Sequence, residues 1–488
     1  MGGMSPSKWS SPVTHLRKEP PPPNKDHQVN SEAFLTRAMA NFSACPISKE
    51  LDRKAFVETL RSLIAESKFL QNNPRLGIVP EEKRAALVVL KDLAPFRREA
   101  GGPLVIEEYE YVPGRTNLKV TYPGTTKSTI SFVGSHFDVV PADPEAWDKD
   151  PFTLTVDGDK LYGRGTTDCL GHVALLTRFL AELGRVRPVL KRSIIVLFIA
   201  GEEGGEKGVG VDLVVQAGSL DEAKSGPVYW VDSADSQPCC GTSGMLSWSL
   251  KCKGRIFHSG FPNKAINSIE LASEACSVIQ QRFFEDFPPH PSESGYQFTT
   301  GSHMKPTQIE CAKGSLNQIC PETTVSGDIR LSPFYEVEEV MMAVESYVRD
   351  INADINDLPV RGTWSKFELP ADVLTQPGEL RKGSVELIWH NPETFRLYAG
   401  IACSLTSEGH KALVQSCREV FASVKPFSVN GSLPLVKIMQ KAGFDIQLVG
   451  FGLMSVYHGV NEYCTLNDMS KAWEVVLRTV CLLESVTA

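Results

Sequence analysis

The first half of the chain alternates short apolar runs with stretches of helical periodicity. Three runs have the length of a strand and predict buried strands at 128–134, 191–200 and 227–232. Between the first two, the periodicity predicts a helix over 172–184, with Gly184 at its C-terminal end. This alternation is typical of an α/β domain in which helices flank a mixed sheet.

The pattern changes after residue 245. Strand-like and helical stretches follow in the order β-α-β-β-α-β, at 246–255, 263–287, 307–314, 323–332, 336–351 and 385–390. This is the order of the split, ferredoxin-like α+β unit. A final stretch over 407–486 has the order α-β-α and again alternates helices with strands, as the first half of the chain does. We therefore predict a larger domain built from 52–245 and 405–488, with a smaller domain over 246–404 inserted into it.

The composition narrows the class of protein. The chain has 488 residues, more than one hydrophobic core usually serves, and a formal net charge of −8, which offers no basic surface for nucleic acid. No apolar run approaches the ~20 residues of a membrane helix, so we expect no membrane partner. Residues 1–51 contain PPPP at 20–23 and no apolar core segment, which favours a disordered tail over a secretory signal.

The cysteines bear on the compartment. The 12 cysteines are scattered, without zinc-ribbon spacing or a dense disulfide framework. A reducing compartment is the simpler interpretation, and we expect a cytoplasmic protein. Because the tail carries no acidic residue before Glu19, import into an organelle stays open as an alternative.

Polar residues that could carry chemistry follow the predicted strands. His136 and Asp138 come directly after the first strand and are two apart, so an extended backbone points both to one side. His136 could bind a metal while Asp138 orients its ring or holds a group nearby. The alternative is an ordinary loop histidine beside a turn aspartate.

Further acids stand at the other strand ends. Asp168 lies in a glycine-rich turn before a helix, where it could cap the helix or bridge two metal ions. Glu202 and Glu203 end the second strand, and two adjacent carboxylates repel each other unless cations or a proton share the site. One could bind metal and the other shuttle protons, although a solvated acidic turn is the alternative. Asp232 ends the third strand, and His458 lies close to the C-terminus.

Taken together, these positions are more informative than any one alone. Two imidazoles and three carboxylates form an N/O donor set suited to zinc: His136, Asp168, Glu203, Asp232 and His458. The sequence therefore predicts a centre of two divalent metal ions, zinc in the first place and cobalt as the alternative.

The order and spacing of these motifs resemble those of the two-zinc aminoacylase and carboxypeptidase family, over about residues 52–488. Three stretches most resemble the acetylornithine deacetylases of the plant type, at 226–238, 253–272 and 322–335. The resemblance implies a homodimeric amidohydrolase that cleaves N-acetylornithine into ornithine and acetate. It also implies a zinc-peptidase catalytic domain and a lid and dimerisation domain over 246–404.

The resemblance also assigns roles to single residues. Asp168 would bridge the metals; Glu203 and His458 would complete one site, and Asp232 and His136 the other. Glu202 matches the general base, and Asp138 the acid that supports the first histidine. His258 would reach the active site of the partner subunit, while Arg330 and Asn317 would contact substrate. A cis peptide bond after Asp168 is expected by the same analogy.

Three departures from the family pattern bear on the substrate. Cys169-Leu170-Gly171 replaces the usual Met-Lys-Gly, Asp232 stands where Glu is common, and Gly431-Ser432-Leu433 lacks an acid. An aminoacylase or dipeptidase with the same centre therefore remains an alternative. A metal-binding scaffold without catalysis is disfavoured by Glu202, because a scaffold needs no general base. A nucleotide-binding module is disfavoured because no GxGxxG opens a helix.

Overall fold

The computed structural model describes residues 42, 45–360, 362–373, 380–392, 395–396 and 398–485. The predicted N-terminal tail over 1–51 therefore lies outside the described residues, apart from 42 and 45–51. Within these ranges the chain forms a large sheet flanked by helices, a second sheet with its own helices, and a small three-stranded sheet.

The large sheet has nine strands within the described ranges. Its strands are β1 (Val105–Val112), β2 (Arg115–Tyr122), β3 (Thr129–His136), β6 (Ser193–Ile199), β7 (Pro227–Val231), β8 (Cys239–Thr242), β13 (Ile401–Ala402), β14 (Phe427–Val429) and β15 (Asp445–Val449). They lie in the order β1-β2-β6-β3-β7-β15-β8-β13, with β14 beside β8. The four central strands β6, β3, β7 and β15 are parallel, and the antiparallel pairs lie outside them. The sheet is mixed, as predicted.

Helices cover both faces of this sheet. They are α1 (Arg53–Glu66), α2 (Lys83–Leu93), α3 (Leu170–Val186), α4 (Val211–Gln216), α7 (Glu408–Val420), α8 (Val436–Lys441) and α9 (Leu466–Ser485). Val196 and Phe198 of β6 pack in the core beside α1, α3 and α9, whereas Leu197 and Ile199 pack with α4 and α8. Because both faces are buried, the strand is continuously apolar. No helix in the described ranges has the length and apolarity needed to cross a bilayer.

The second sheet follows the connectivity expected for a split unit. It contains β9 (Gly244–Lys253), β10 (His303–Cys311), β11 (Glu322–Leu331) and β12 (Ser384–His390), with α5 (Ser268–Asp286) after β9 and α6 (Val337–Ala353) after β11. The strands are antiparallel in the order β10-β11-β9-β12. Its apolar residues form a separate core cluster, which includes Trp248, Phe283 and Tyr347.

The small sheet joins two distant parts of the chain. It pairs β4 (Thr155–Asp157) with β5 (Lys160–Tyr162), and β5 with β16 (Tyr463–Thr465). This pairing brings the segment after His458 beside the segment before Asp168.

One predicted helix end was wrong. Helix α3 continues past Gly184 to Val186, and Arg187 adopts the left-handed conformation that ends it. Gly184 is instead a point of close packing, because a Cβ there would lie 2.5 Å from the Cβ of Phe96. The glycine is explained by the ring that packs on it and not by the end of the helix.

We predict that Gly184→Ala destabilises the protein. Helix propensity alone would favour alanine by about 1 kcal/mol, but the clash with Phe96 should reverse the sign and lower the free energy of unfolding by about 1–3 kcal/mol. Denaturant unfolding followed by circular dichroism measures this. In the control, Phe96→Gly removes both the ring and the Cβ that would clash, so adding Gly184→Ala to it should cost much less than in the parent. An equal cost in both backgrounds would contradict the packing explanation.

Candidate metal centre

His136 is the last residue of β3, the central strand that leads into the site, and Asp138 follows two residues later. Both side chains are fully buried. The ring Nδ1 of His136 lies 2.8 Å from the main-chain oxygen of Asp138 and 3.5 Å from its carboxylate. The Asp138 carboxylate instead accepts hydrogen bonds from the backbone N–H groups of Glu202 and Glu203, at 3.2 and 3.0 Å. Asp138 therefore fixes the loop that carries the two glutamates.

Asp168 lies between the two histidines. Its Oδ1 is 3.0 Å from Nε2 of His136, and its Oδ2 is 2.7 Å from Nε2 of His458. The peptide bond between Asp168 and Cys169 is cis, as expected. Each carboxylate oxygen thus faces a different imidazole, which is the arrangement a bridging ligand requires.

The other acids approach from neighbouring strand ends. Oε2 of Glu203 lies 3.2 Å from Nε2 of His458, and Oδ1 of Asp232 lies 3.4 Å from Nε2 of His136. Oε2 of Glu202 is also 3.7 Å from Nε2 of His136. The ends of β3, β6 and β7, the α3 loop and the segment before β16 therefore meet at one edge of the sheet.

The donor atoms fall into two groups that share Asp168. His136, Asp168, Cys169 and Asp232 offer donor atoms within 4.8 Å of one another, and so do Asp168, Glu203 and His458. Two imidazoles and several carboxylates match the ligand preferences of zinc and related divalent ions. Two donor groups joined by one carboxylate fit a pair of metal ions.

The electrostatics of the protein atoms alone show an excess of negative charge. Burial, together with the charge of Asp168, raises the pKa of Glu203 to about 7. Burial by itself would lower the pKa of His458, but its hydrogen bonds with Asp168 and Glu203 raise it to about 11. Without cations, the cluster binds protons to reduce its charge. Divalent ions would take the place of those protons, so the residues fit metal binding.

Glu462 supports the bridging aspartate and was missed by the sequence analysis. Its buried carboxylate accepts hydrogen bonds from the backbone N–H groups of Gly165, Thr167 and Asp168, at 3.1, 2.7 and 3.0 Å. It also forms an ion pair with Arg164 at 2.7 Å. Its position four residues after His458 was a usable signal, but its burial could not be seen in the sequence.

A second buried network supports the loop with the two glutamates. Arg115 pairs with Glu82 and with Glu206, the latter at 2.6 Å. Glu82 also accepts a hydrogen bond from the backbone N–H of Gly201 at 3.2 Å. Glu82 directly precedes α2, Arg115 begins β2 and Glu206 lies in the loop itself, so no motif connects them in the sequence.

Two residues that follow Asp168 have distinct positions. Cys169 is buried, and its Sγ accepts a hydrogen bond from the backbone N–H of His136. The sequence analysis noted Cys169 only as a departure, whereas the structure places it in one of the donor groups. Nε2 of His172 accepts a hydrogen bond from the backbone N–H of Phe451 at 2.7 Å, and burial lowers the pKa of His172 to about 4. His172 therefore has a structural role in joining α3 to the segment after β15.

Three predicted site residues lie away from these contacts, in the second unit of the chain, which consists of the second sheet with helices α5 and α6. His258 is exposed in the loop after β9, and Asn317 is exposed in the loop between β10 and β11. Arg330 lies near the other end of β11, where its Nε donates to Asp328 at 2.8 Å. Within the described residues, no hydrogen bond or ion pair joins these three to the metal-binding candidates.

The chain is similar to known proteins over most of its length. The model of peptidase family M20/M25/M40 matches residues 132–481. A protein of Arabidopsis thaliana named acetylornithine deacetylase is 49% identical over 439 residues, which cover 89% of this chain and 97% of the relative. One of the same name from Dictyostelium discoideum is 47% identical, covering 90% of this chain and 98% of the relative.

Solved structures share the fold at lower identity. An M20 family metallo-carboxypeptidase from Sulfolobus solfataricus superposes with a TM-score of 0.62 at 17% identity, covering 88% of this chain and 99% of its own. A dinuclear metal-binding peptidase of the M20 family from Bacillus subtilis gives 0.56 at 13% identity, with coverage of 88% and 99%.

We predict that Glu462→Gln weakens metal binding. The glutamine side chain lacks the negative charge that pairs with Arg164. Its NH2 group cannot accept hydrogen bonds from the backbone N–H groups that the Glu462 carboxylate binds, so the loop with Asp168 should lose its fixed position. We expect a loss of about 10- to 100-fold in metal affinity, as for other groups that support metal ligands, measured by metal content after dialysis against graded chelator. As a matched control, Glu419→Gln breaks a Glu–Arg pair with Arg478 far from the site and should leave affinity unchanged. Equal affinity in both variants would exclude this role for Glu462.

Proposed function

This chain belongs to peptidase family M20/M25/M40, and from that membership we propose that it hydrolyses the amide bond of an N-acyl amino acid. The substrate is N-acetylornithine, and the products are ornithine and acetate. Two observations together carry the proposal. Two relatives named acetylornithine deacetylase are similar to nearly the whole chain, and the chain has a cluster of donor atoms built around Asp168.

The metal ions would be held by the five residues of the sequence prediction. His136 and Asp232 would bind one ion, Glu203 and His458 the other, and Asp168 both. When bound, two divalent ions polarise an amide carbonyl and increase the acidity of the attacking water. The dinuclear metal binding named for the Bacillus subtilis relative supports a pair, and the N/O donor set supports zinc, with cobalt as the alternative.

Glu202 would act as the general base. Burial and the charge of Asp232 raise the pKa of its carboxyl group well above the ordinary value. Such a group accepts a proton from water and can return it to the departing amine nitrogen. Asp138 contributes by position, since its carboxylate holds the backbone of Glu202 and Glu203.

Arg330 would bind the substrate carboxylate. It pairs with Met245 of β9, close to the point where the chain passes from β8 of the large sheet into β9. Arg330 therefore lies at the end of the second sheet that is next to the large sheet. A guanidinium group can bind a carboxylate through two parallel hydrogen bonds, which suits the α-carboxylate of an amino acid.

The substrate is tested by measuring amine and acyl-group release from a panel of compounds. We expect N-acetylornithine to give a higher kcat/KM than N-acetylmethionine, N-succinyl-diaminopimelate and simple dipeptides. Chelation should abolish turnover, and added zinc or cobalt should restore it. Preference for a dipeptide or for N-acetylmethionine would support the dipeptidase or aminoacylase alternative. Absence of turnover with all substrates in the metal-loaded protein would support a non-catalytic scaffold.

We predict that Glu202→Gln removes turnover without removing metal. The amide cannot accept a proton, so kcat should fall about 10²- to 10⁴-fold, while metal analysis still finds two equivalents per chain. Glu203→Gln is the matched control at the neighbouring position, and it should lose one metal because a proposed ligand is changed. If Glu202→Gln loses metal and Glu203→Gln keeps it, the two roles are exchanged.

The second unit has a surface suited to a second copy of the chain. Strand β10 forms an edge of its sheet, and its residues 305–311 are exposed, including Ile309 at 58%. A groove of about 410 Å³ lies between this strand and α5, lined by Cys276, Pro306 and Ile309 among others. An open edge strand offers unpaired backbone groups to another strand. We infer a homodimer formed along β10.

The same assembly gives His258 and Asn317 a role. Their two loops lie at one end of the sheet and are joined by a hydrogen bond from Ser259 N–H to the Asn317 carbonyl at 2.8 Å. Because both side chains are exposed in the single chain, a two-fold partner could receive them together. His258 would then stabilise the oxyanion in the site of the partner subunit, and Asn317 would contact substrate there.

We predict that His258→Ala and Glu202→Ala subunits complement each other when mixed. Each variant alone should be inactive, but one site of the mixed dimer combines an intact Glu202 with an intact His258 from the other subunit. Random exchange of equal amounts should return about one quarter of the parent activity. Exchange is verified with two affinity tags, and parent protein mixed with Glu202→Ala is the control. Demonstrated exchange without recovery would show that His258 does not act across the interface.

A further inference from the structure

The chain crosses between its two larger sheets at two neighbouring segments. It leaves the large sheet between β8 and β9, and it returns between β12 and β13. At these crossings Ile401 of β13 lies opposite Thr242 of β8. The N–H of Met245 in β9 donates to the Tyr398 carbonyl at 3.1 Å, so the backbone of Tyr398 belongs to the junction of the two sheets.

The side chain of Tyr398 contacts the loop that carries Glu202 and Glu203. Its hydroxyl donates a hydrogen bond to the carbonyl of Gly204 at 3.2 Å. The hydroxyl also lies close to the next residue, because a Cβ on Gly205 would be 2.2 Å from its oxygen. Gly205 has a φ of +56°, and its N–H donates to the Glu202 carbonyl at 2.7 Å. The Tyr398 hydroxyl is therefore packed against the turn formed by residues 202–205.

The backbone of Tyr398 leads in two steps to Arg330. Met245, whose N–H bonds to Tyr398, lies directly opposite Arg330 in the antiparallel pair of β9 and β11. Paired strands and hydrogen bonds of this kind are the elements that carry energetic coupling between distant groups. Tyr398 thus contacts both the strand pair that carries Arg330 and the loop that carries Glu202.

Other contacts hold the same loop from within the large sheet and its helices. Asp138, two residues after β3, accepts the N–H groups of the two glutamates. Glu82, which precedes α2, accepts the N–H of Gly201. These bonds fix the loop relative to the large sheet, whereas the Tyr398 hydroxyl fixes it relative to the junction with the second sheet.

We propose that Tyr398 is a positioning residue that couples the second sheet to the loop of Glu202. The proposal rests on the proposed function, since it takes Arg330 as the carboxylate site and Glu202 as the general base. A substrate carboxylate bound to Arg330 fixes the end of β11, and the two hydrogen bonds of Tyr398 connect this end to the loop. The general base is thereby held at a constant distance from the bound amide, and an error of about 1 Å in such a distance can cost about 100-fold in rate. Tyr398 acts through the loop and takes no part in the bond changes.

The test compares Tyr398→Phe with the parent protein, both as the metal-loaded full chain. The variant removes the hydroxyl and keeps the ring. Tyr296→Phe is the matched control, because the Tyr296 hydroxyl also joins the second unit to the large domain but donates to the Cys403 carbonyl, at 2.9 Å.

Amide hydrogen exchange, measured by mass spectrometry, reports the contact without any substrate. We expect exchange over residues 201–206 to become about 3- to 10-fold faster in Tyr398→Phe, which is the effect of losing one hydrogen bond. Exchange over residues 246–255, the metal content and the melting temperature should not change. Tyr296→Phe should exchange over residues 201–206 as the parent protein does.

Kinetics report the coupling. With N-acetylornithine, Tyr398→Phe should lower kcat about 3- to 10-fold and leave KM nearly unchanged, because the loop and not the carboxylate site is affected. Arg330→Lys loses the two parallel hydrogen bonds to the carboxylate, so the second sheet is fixed less firmly. Adding Tyr398→Phe to Arg330→Lys should therefore lower kcat by a smaller factor than it does in the parent.

Two results would each overturn the proposal. One is unchanged exchange over residues 201–206 in Tyr398→Phe, which shows that the hydroxyl does not hold the loop, whether or not the protein turns over a substrate. The other is a loss of kcat that is absent in the parent or equal in the parent and Arg330→Lys backgrounds, which shows that Tyr398 acts independently of Arg330. If no substrate is turned over but exchange is faster in Tyr398→Phe, the proposed function fails and the contact of Tyr398 with the loop stands.

Discussion

The structure depends on one electrostatic constraint, the burial of several carboxylates at the carboxyl ends of the parallel strands in the mixed sheet. Asp168, Glu202 and Asp232 are each less than 7% exposed, and Glu203 points its carboxylate at the same histidine as Asp168. Such a cluster is stable only with compensating positive charge. Metal ions supply that charge, so the requirement for binding and the capacity for hydrolysis have the same origin.

The surrounding fold satisfies this constraint by fixing loops through backbone groups. Glu462 accepts three backbone N–H groups of the loop with Asp168, and Asp138 accepts two from the loop with Glu202 and Glu203. In both cases a buried acid that is not itself among the predicted metal ligands positions those that are. The geometry of the metal centre is therefore determined by these supporting acids as well as by the direct ligands.

Much of this architecture could be predicted from the sequence because burial leaves a simple pattern. Strand β6 is apolar on both faces, so its position and the acids at its end could be found by inspection. Glu462 and Arg115 could not, since an isolated charged residue has no periodicity and its partner is known only after folding. The predicted C-terminal end of α3 was wrong for a related reason, because Gly184 packs against Phe96, a residue that is remote in sequence. The role proposed for His258 requires a second chain, which one sequence does not describe.

The pairing of Glu462 with the loop before α3 also affects when the site can form. The hydrogen bond from Asp168 joins residues 294 positions apart, and the whole second unit lies between them in the chain. Contacts of such long range form late, because closing a long loop costs conformational entropy before any contact compensates for it. During synthesis, the segment with His136, Asp168 and Glu203 leaves the ribosome well before its last partners. A nascent chain that ends before His458 and Glu462 therefore lacks part of the predicted donor set and the residue that positions Asp168.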